Sequence, residues 1–120
     1  GLAMAQPGST INTTLLGNLA LSLGLTGETS EAVLLLNPFI GDMSRGRAGL
    51  TQAQSSLRQN LALVYALSGN INSAVEVAKS ALSAEDAEYN RTFYQAIAAL
   101  KGRARAKAVF MGKLPENPQP

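Results

Sequence analysis

The stretch at residues 60–69 constrains the fold most, because a similar stretch occurs earlier in the chain. Residues 18–33 and 60–75 align at an offset of 42 (60 − 18), and eight of the sixteen aligned positions are identical. Both copies are rich in Leu and Ala, and both carry a glycine at the same place, Gly27 and Gly69. Self-similarity at a fixed period of this size is the signature of a repeat architecture. We therefore predict a helical repeat protein.

Apolar residues recur at helical spacing on both sides of each of these glycines. Three helix pairs are predicted: 10–26 with 29–39, 51–68 with 71–82, and 84–101 with 103–113. Thr51 and Gln54 form the Thr-x-x-Gln pattern of a capping box at the start of the second pair. Gly27 and Gly69 suit the left-handed position that commonly ends a helix.

Other helix starts and faces are predicted from the same patterns. Thr29 or Ser30 is expected to cap the second helix, Asn70 or Asn72 the fourth, and Ser83 the fifth. The inward face of the first helix is predicted from residues four apart: Ile11, Leu15, Leu19 and Leu23. The fifth helix is expected to face inward through a similar set: Tyr89, Phe93, Ile97 and Leu100.

The breaker-rich stretch 41–50 separates the two similar copies and is predicted to be a mobile insertion. The domain organisation follows from these elements. We assign 1–9 to a flexible tail or cloning remnant, 10–114 to one domain and 115–120 to a flexible tail. Within the domain we assign 10–40 to repeat 1, 41–50 to an insertion loop, 51–82 to repeat 2 and 83–114 to a degenerate or capping repeat.

The composition argues against catalysis and metal binding by the side chains of this chain. The sequence has no Cys and no His, so it lacks the commonest general base, the thiolate nucleophile and the usual zinc ligands. We expect a protein that is not an enzyme, with no catalytic residues, no metal site, no cofactor and no small-molecule substrate. No run of about 18 apolar residues is present, so no transmembrane helix is predicted.

The helix–Gly–helix unit, with an alanine five residues after the glycine, resembles the tetratricopeptide repeat. The positions that carry the resemblance are Leu61, Ala62, Tyr65, Gly69, Ala74 and Ala81 in the second copy, and Leu19, Ala20, Leu23, Gly27 and Ala32 in the first. The signature Trp of the family is absent, and Leu16 and Arg58 stand in its place. The resemblance implies an all-α, right-handed superhelix of helix-turn-helix repeats.

A narrower resemblance rests on residues 57–63, Leu-Arg-Gln-Asn-Leu-Ala-Leu, and on 81–90, which begins Ala-Leu-Ser-Ala-Glu-Asp-Ala. Both segments are similar to TadD-type proteins of the tight-adherence (Flp) pilus assembly system. That resemblance implies a pilotin-like bacterial lipoprotein of the periplasm, associated with the outer membrane, that helps localise the secretin. The expected partner is a secretin subunit or another pilus assembly component. The lipid-anchoring Cys of that class is not in this sequence.

Tetratricopeptide arrays bind partners in a groove lined by the first helix of each pair, so the resemblance predicts the groove residues. They are Thr14, Gly17, Asn18, Leu21, Leu25, Gln59, Asn60, Leu63 and Ala66. A groove of small and apolar residues suits an amphipathic helix or an extended apolar segment. The alternative is that the leucines contact neighbouring helices, and that Asn18 and Asn60 hydrogen-bond between adjacent repeats.

The chain carries an excess of basic residues at its C-terminal end, and between 89 and 114 there is no acidic residue. The predicted basic patch consists of Arg91, Lys101, Arg103, Arg105 and Lys107. One interpretation is contact with an acidic partner, an anionic lipid surface or a nucleic acid. The other is a solvated face with cations placed favourably near helix C-termini. A generic peptide-binding adaptor is the alternative to the pilus function. Because about three repeats are normally required, we also expect either that the chain is part of a longer array or that it self-associates through an open end.

Overall fold

The computed structural model describes residues 12–114, and every regular element in that range is helical. The elements in chain order are α1 (Thr13–Leu25), α2 (Thr29–Leu36), α3 (Gln52–Leu67), α4 (Ile71–Ala78), α5 (Ala84–Ala99) and α6 (Gly102–Met111), with 3₁₀ turns at Asn37–Phe39 and Met43–Arg45. The predicted all-α class is confirmed for this part of the chain. The tails predicted at 1–9 and 115–120 fall outside the described residues. Between residues 12 and 114 no helix has the length and hydropathy needed to cross a membrane.

The helix starts follow mostly from local side-chain chemistry. Thr51 and Gln54 form the predicted capping box, in which each side chain accepts a hydrogen bond of 3.0 Å from the other residue's backbone N–H. Asn70 caps α4 by accepting from the Ser73 backbone N–H at 3.3 Å. Ser83 caps α5 in the same way. Each such cap stabilises its helix by about 1 kcal/mol because it satisfies a backbone donor that has no partner inside the helix.

The start of α2 differs from the prediction. Neither Thr29 nor Ser30 caps it, since the N-cap position is Glu28, whose side chain makes no capping hydrogen bond. The two glycines at the turns behave as expected: Gly27 and Gly69 have φ of 85° and 86°, a left-handed conformation that glycine adopts without strain. The turn after α1 therefore depends on its glycine more than on a side-chain cap.

Helix α1 packs on α3 through its small residues. A Cβ atom at Gly17 would overlap the side-chain amide of Asn60, and one at Gly24 would lie 3.1 Å from a Leu67 methyl group. Such contact distances mean that the two backbones approach as closely as glycine permits. Ala20, which lies between these glycines along α1, is fully buried.

The predicted inward face of α1 is therefore wrong at its two central residues, Leu15 and Leu19. Leu15 and Leu19 are exposed, because the close approach to α3 selects the small face of the helix instead of its large apolar face. Leu21 is buried and Leu23 is partly buried against the core. Ile11 lies outside the described residues.

Helix α5 also places a different side against the core from the one predicted. Tyr89 is 82% exposed, whereas Tyr94 is buried beside Ile97. Phe93 and Leu100 are partly buried against the core, as expected. Full burial of a side chain such as Ile97 contributes about 1.5–3 kcal/mol relative to leaving it in water, so the Ile97 side of α5 determines its orientation.

Helix α6 folds back towards the beginning of the domain. It contacts α1 as well as α5, and Ala108 and Val109 are buried on its inner side. The Arg105 guanidinium donates to the carbonyls of Ile97 and Ala98 at 2.9 Å and to that of Leu67, at the end of α3, at 3.5 Å. In a linear repeat array each unit contacts only its neighbours. The contact between α6 and α1 departs from that arrangement.

The segment 41–50 is held by a buried arginine of α3. Arg58 is 2% exposed, and its guanidinium donates to the carbonyls of Ile40 at 2.7 Å, Gly46 at 2.7 Å, Ser80 at 2.8 Å and Asp42 at 3.3 Å. Burial lowers the pKa of Arg58 and the nearby Asp42 carboxylate opposes that shift. The group stays charged because a guanidinium is not deprotonated in proteins. The segment is thus tied to α3 at two of its own carbonyls, those of Asp42 and Gly46, and at the carbonyl of Ile40 directly before it. Its mobility stays a prediction.

Candidate partner-binding groove

A cavity of about 670 Å³ lies between α3, α5 and the end of α6. Its walls come from three parts of the chain: Gln59 and Leu63 of α3; Glu88, Tyr89, Asn90, Thr92, Phe93 and Tyr94 of α5; and Gly112 and Leu114 after α6. A volume of this size falls within the usual range for a ligand or peptide site. We refer to this cavity as the groove.

The helical spacing of the lining residues explains why they share one surface. Gln59 and Leu63 are four residues apart on α3, and Tyr89 and Phe93 are four apart on α5, so each pair lies on one helix face. Leu114 adds to the groove wall after α6 has ended at Met111. The walls are largely apolar, with side-chain amide and hydroxyl groups between the apolar residues.

The one carboxylate in the groove wall is neutralised by neighbouring cations. The Arg91 guanidinium donates to Glu88 at 2.9 Å and to the Asn72 side chain of α4 at 2.9 Å, while the Lys79 ammonium lies 3.9 Å from Glu88. The hydrogen bond from Arg91 lowers the pKa of Glu88, and the same bond raises the pKa of Arg91. The groove therefore offers an incoming segment little net charge at this point.

Tyr94 forms the buried floor of the groove on the α5 side. Burial raises the pKa of its phenol, and the neighbouring Asn90 side chain opposes that shift. The phenol is therefore neutral at physiological pH. Tyr94 therefore adds no negative charge to the wall of the cavity that it lines.

The structure brings two of the predicted groove residues together, Gln59 and Leu63. Three others, Gly17, Leu21 and Ala66, are buried between helices, so the prediction that they line the groove is wrong. The reason is the close packing of α1 on α3, which places the small residues at the helix interface. Thr14, Asn18, Leu25 and Asn60 do not line the cavity: Thr14 and Asn18 are exposed on α1, whereas Leu25 and Asn60 are partly buried.

The paired asparagines have different environments. Asn18 is exposed and Asn60 is partly buried, and within residues 12–114 neither side chain makes a hydrogen bond to a protein group. The Asn60 amide occupies the space that a side chain at position 17 would need. Its place in the repeat thus reflects packing beside Gly17, and the hydrogen bond expected between adjacent repeats is not formed in this part of the chain.

The predicted basic patch divides into two groups. Arg91 pairs with Glu88, and Arg105 is engaged with backbone carbonyls, so both serve the fold. Lys101, Arg103 and Lys107 are exposed. Only these three of the five predicted patch residues remain available to a partner.

Sequence reasoning missed most of the α5 side of the groove. Tyr89 was expected in the core, and Thr92 and Leu114 were given no role, because the third pair carries little of the repeat pattern. A signal was available in the run of Glu88, Tyr89 and Asn90, where an aromatic residue sits between polar neighbours of a helix. That pattern is typical of an exposed aromatic side chain.

Comparison with known proteins adds no relative to this description. No protein-family model, no curated protein and no solved structure matches the chain. The residues of the groove and of the surfaces around it therefore carry what can be inferred about function.

Proposed function

We propose that the chain is a protein-binding scaffold whose groove holds an apolar segment of a partner. The observation that supports this proposal is the cavity of about 670 Å³ between α3 and α5. It presents Leu63, Tyr89 and Phe93 beside Gln59 and Thr92, so that apolar contact and hydrogen bonding are available together. Aromatic side chains that become buried when a partner binds are among the residues that supply most of the binding energy in protein interfaces.

The proposal includes a tetratricopeptide-like architecture for residues 10–114, in which helix pairs form a right-handed superhelix. The antiparallel neighbours α1–α2 and α3–α4, with Gly27 and Gly69 at equivalent turns, support it. The return of α6 to α1 is the feature in which this chain would be an unusual member.

The biological setting that we propose comes from the resemblance to TadD-type proteins. In that setting the chain is a pilotin-like factor of tight-adherence pilus or secretion assembly, in the periplasm at the outer membrane, with a secretin subunit as partner. A generic peptide-binding adaptor is the second candidate, because an apolar groove with little net charge does not by itself specify the partner.

The test is retention of the secretin subunit from a membrane extract on the immobilised chain, identified by mass spectrometry. Leu63→Gln combined with Tyr89→Ala removes apolar contact from both walls of the groove and should lower retention at least ten-fold, which corresponds to about 1.4 kcal/mol. The matched control is Leu34→Ala on α2, which removes an exposed apolar side chain far from the groove. Retention of other proteins, lost with the same double variant, would favour the generic adaptor. Retention unaffected by the double variant would refute a role for the groove.

A further inference from the structure

The outward face of α6 carries cations followed by apolar side chains. At about 100° per residue, four side chains fall within one arc of about 100°: Arg103, Lys107, Phe110 and Met111. The opposite side of the helix carries Arg105, Ala108 and Val109, which face the protein. We call the outward set, together with Leu114, the α6 face.

The apolar members of the α6 face are open to solvent. Phe110 is 45% exposed, Met111 59% and Leu114 36%. Lys101 and Lys113 flank them, and no acidic residue occurs between positions 89 and 114. The α6 face thus combines charge of a single sign with three exposed apolar side chains, so one surface offers groups for lipid phosphates and for the apolar boundary beneath them.

We propose that the α6 face binds the surface of an anionic lipid bilayer. The guanidinium of Arg103 and the ammonium of Lys107 would contact lipid phosphates, and Phe110 and Met111 would enter the boundary between headgroups and acyl chains. The α6 face meets the groove at Leu114, which belongs to both surfaces, whereas Arg103, Lys107, Phe110 and Met111 do not line the groove.

Two other occupants fit the α6 face less well. A second copy of the same face would bring Arg103 and Lys107 against like charges, which opposes symmetric self-association. A nucleic acid would use the cations, since phosphate contacts dominate such binding, but Met111 and Leu114 would gain nothing from phosphate groups. Of these three occupants, the lipid surface is the one that uses both halves of the α6 face.

Sedimentation with vesicles tests the charge requirement. The chain should bind vesicles that contain phosphatidylglycerol and not vesicles of phosphatidylcholine alone, and binding should weaken as salt rises. Arg103→Ala with Lys107→Ala should lower the partition coefficient about thirty-fold, since each cation near an anionic surface contributes about a five-fold preference. The matched control is Arg45→Ala with Arg47→Ala, which removes two exposed cations of segment 41–50 and the same net charge.

Fluorescence tests the insertion of the apolar side chains. The sequence has no Trp, so Phe110→Trp provides a single reporter, which should shift to shorter wavelength when phosphatidylglycerol vesicles are added. Leu34→Trp on α2, at a position that is exposed and outside the α6 face, should not shift. Far-UV circular dichroism of each variant checks that the helices are retained.

Three results would overturn the proposal. The first is no binding to phosphatidylglycerol vesicles, and the second is an equal loss of binding in the control pair Arg45→Ala and Arg47→Ala. The third is salt-sensitive binding to a single-stranded oligonucleotide with no wavelength shift of Phe110→Trp on vesicles, which would make the α6 face a polyanion site.

Discussion

Replacement of the buried arginine, Arg58→Met, should destabilise the protein severely. Methionine keeps a long flexible stem but has no hydrogen-bond donor, so it leaves the carbonyls of Ile40 and Ser80 without the donors that now lie 2.7 and 2.8 Å away. An unpaired buried polar group costs about 1–3 kcal/mol, so the two together cost about 2–6 kcal/mol. The carbonyls of Gly46 and Asp42 are only partly buried and can turn to water.

Relief from burying the guanidinium offsets part of that loss, and we expect a net decrease of about 3 kcal/mol in the free energy of unfolding. Small domains have about 5–15 kcal/mol in total, so this is a large share. Urea denaturation followed by circular dichroism at 222 nm should show a midpoint lowered by about 3 M, given a slope of about 1 kcal/mol per M for a chain of this size.

Two comparison variants make the result interpretable. Arg47→Met, at an exposed position in segment 41–50, should change stability by no more than about 0.5 kcal/mol. Arg58→Lys should lose most of what Arg58→Met loses, because a compact ammonium cannot reach acceptors on opposite sides as a planar guanidinium does. If Arg58→Met unfolds at the same urea concentration as the unmodified chain, the assigned role of the guanidinium is wrong.

Two further predictions concern the packing of α1 and the response to acid. Gly17→Val should lower the free energy of unfolding by about 2 kcal/mol by overpacking the contact with α3, and Asn60→Ala in that background should restore part of this loss. Ser22→Val, at an exposed position on the same helix, is the control. Additive effects of the changes at 17 and 60 would contradict the contact. Arg91 lowers the pKa of Glu88 below its ordinary value of 4.5, so this carboxylate contributes stability above pH 4.5 that is lost as the pH falls through its folded-state pKa. The stability difference between the unmodified chain and Glu88→Gln should therefore shrink in acid, as urea titrations at several pH values will show, and a constant difference would argue against the pair.

The helix boundaries were predictable because their causes are local. The capping box of Thr51 and Gln54 joins residues three apart, and the left-handed turns at Gly27 and Gly69 need only a glycine at one position. Chemistry that acts within one helical turn leaves a readable pattern in the sequence. The six helices were accordingly anticipated with errors confined to their ends.

The packing of α1 could not be read from apolar periodicity. That method weights large residues such as Leu15 and Leu19, whereas the contact with α3 uses Gly17 and Gly24, which score as neutral in any hydrophobic pattern. A glycine inside a helix usually destabilises that helix by about 1 kcal/mol relative to alanine. The close helix packing that it permits can be recognised only when the neighbouring helix is known. Three predicted groove residues were misplaced for this reason.

The role of Arg58 was hidden for a different reason. Its acceptors are backbone carbonyls between 12 and 22 positions away, and every residue carries such an acceptor, so no residue type marks them. The available hint was a charged residue directly after Leu57, where the helix faces the core. Eight of the ten groove residues were missed on similar grounds. Gln59 and Leu63 were expected there, but Tyr89 and Leu114 reach the groove only through the path of the chain after α4.

The contact between α1 and α6 has a consequence for the order of folding. It joins residues between 77 (102 − 25) and 98 (111 − 13) positions apart, and contacts of such long sequence separation slow folding because a long loop must close first. A repeat array without this contact can grow from any unit outward. Here the side of α1 that meets α6 stays uncovered during synthesis until residues 102–111 have left the ribosome.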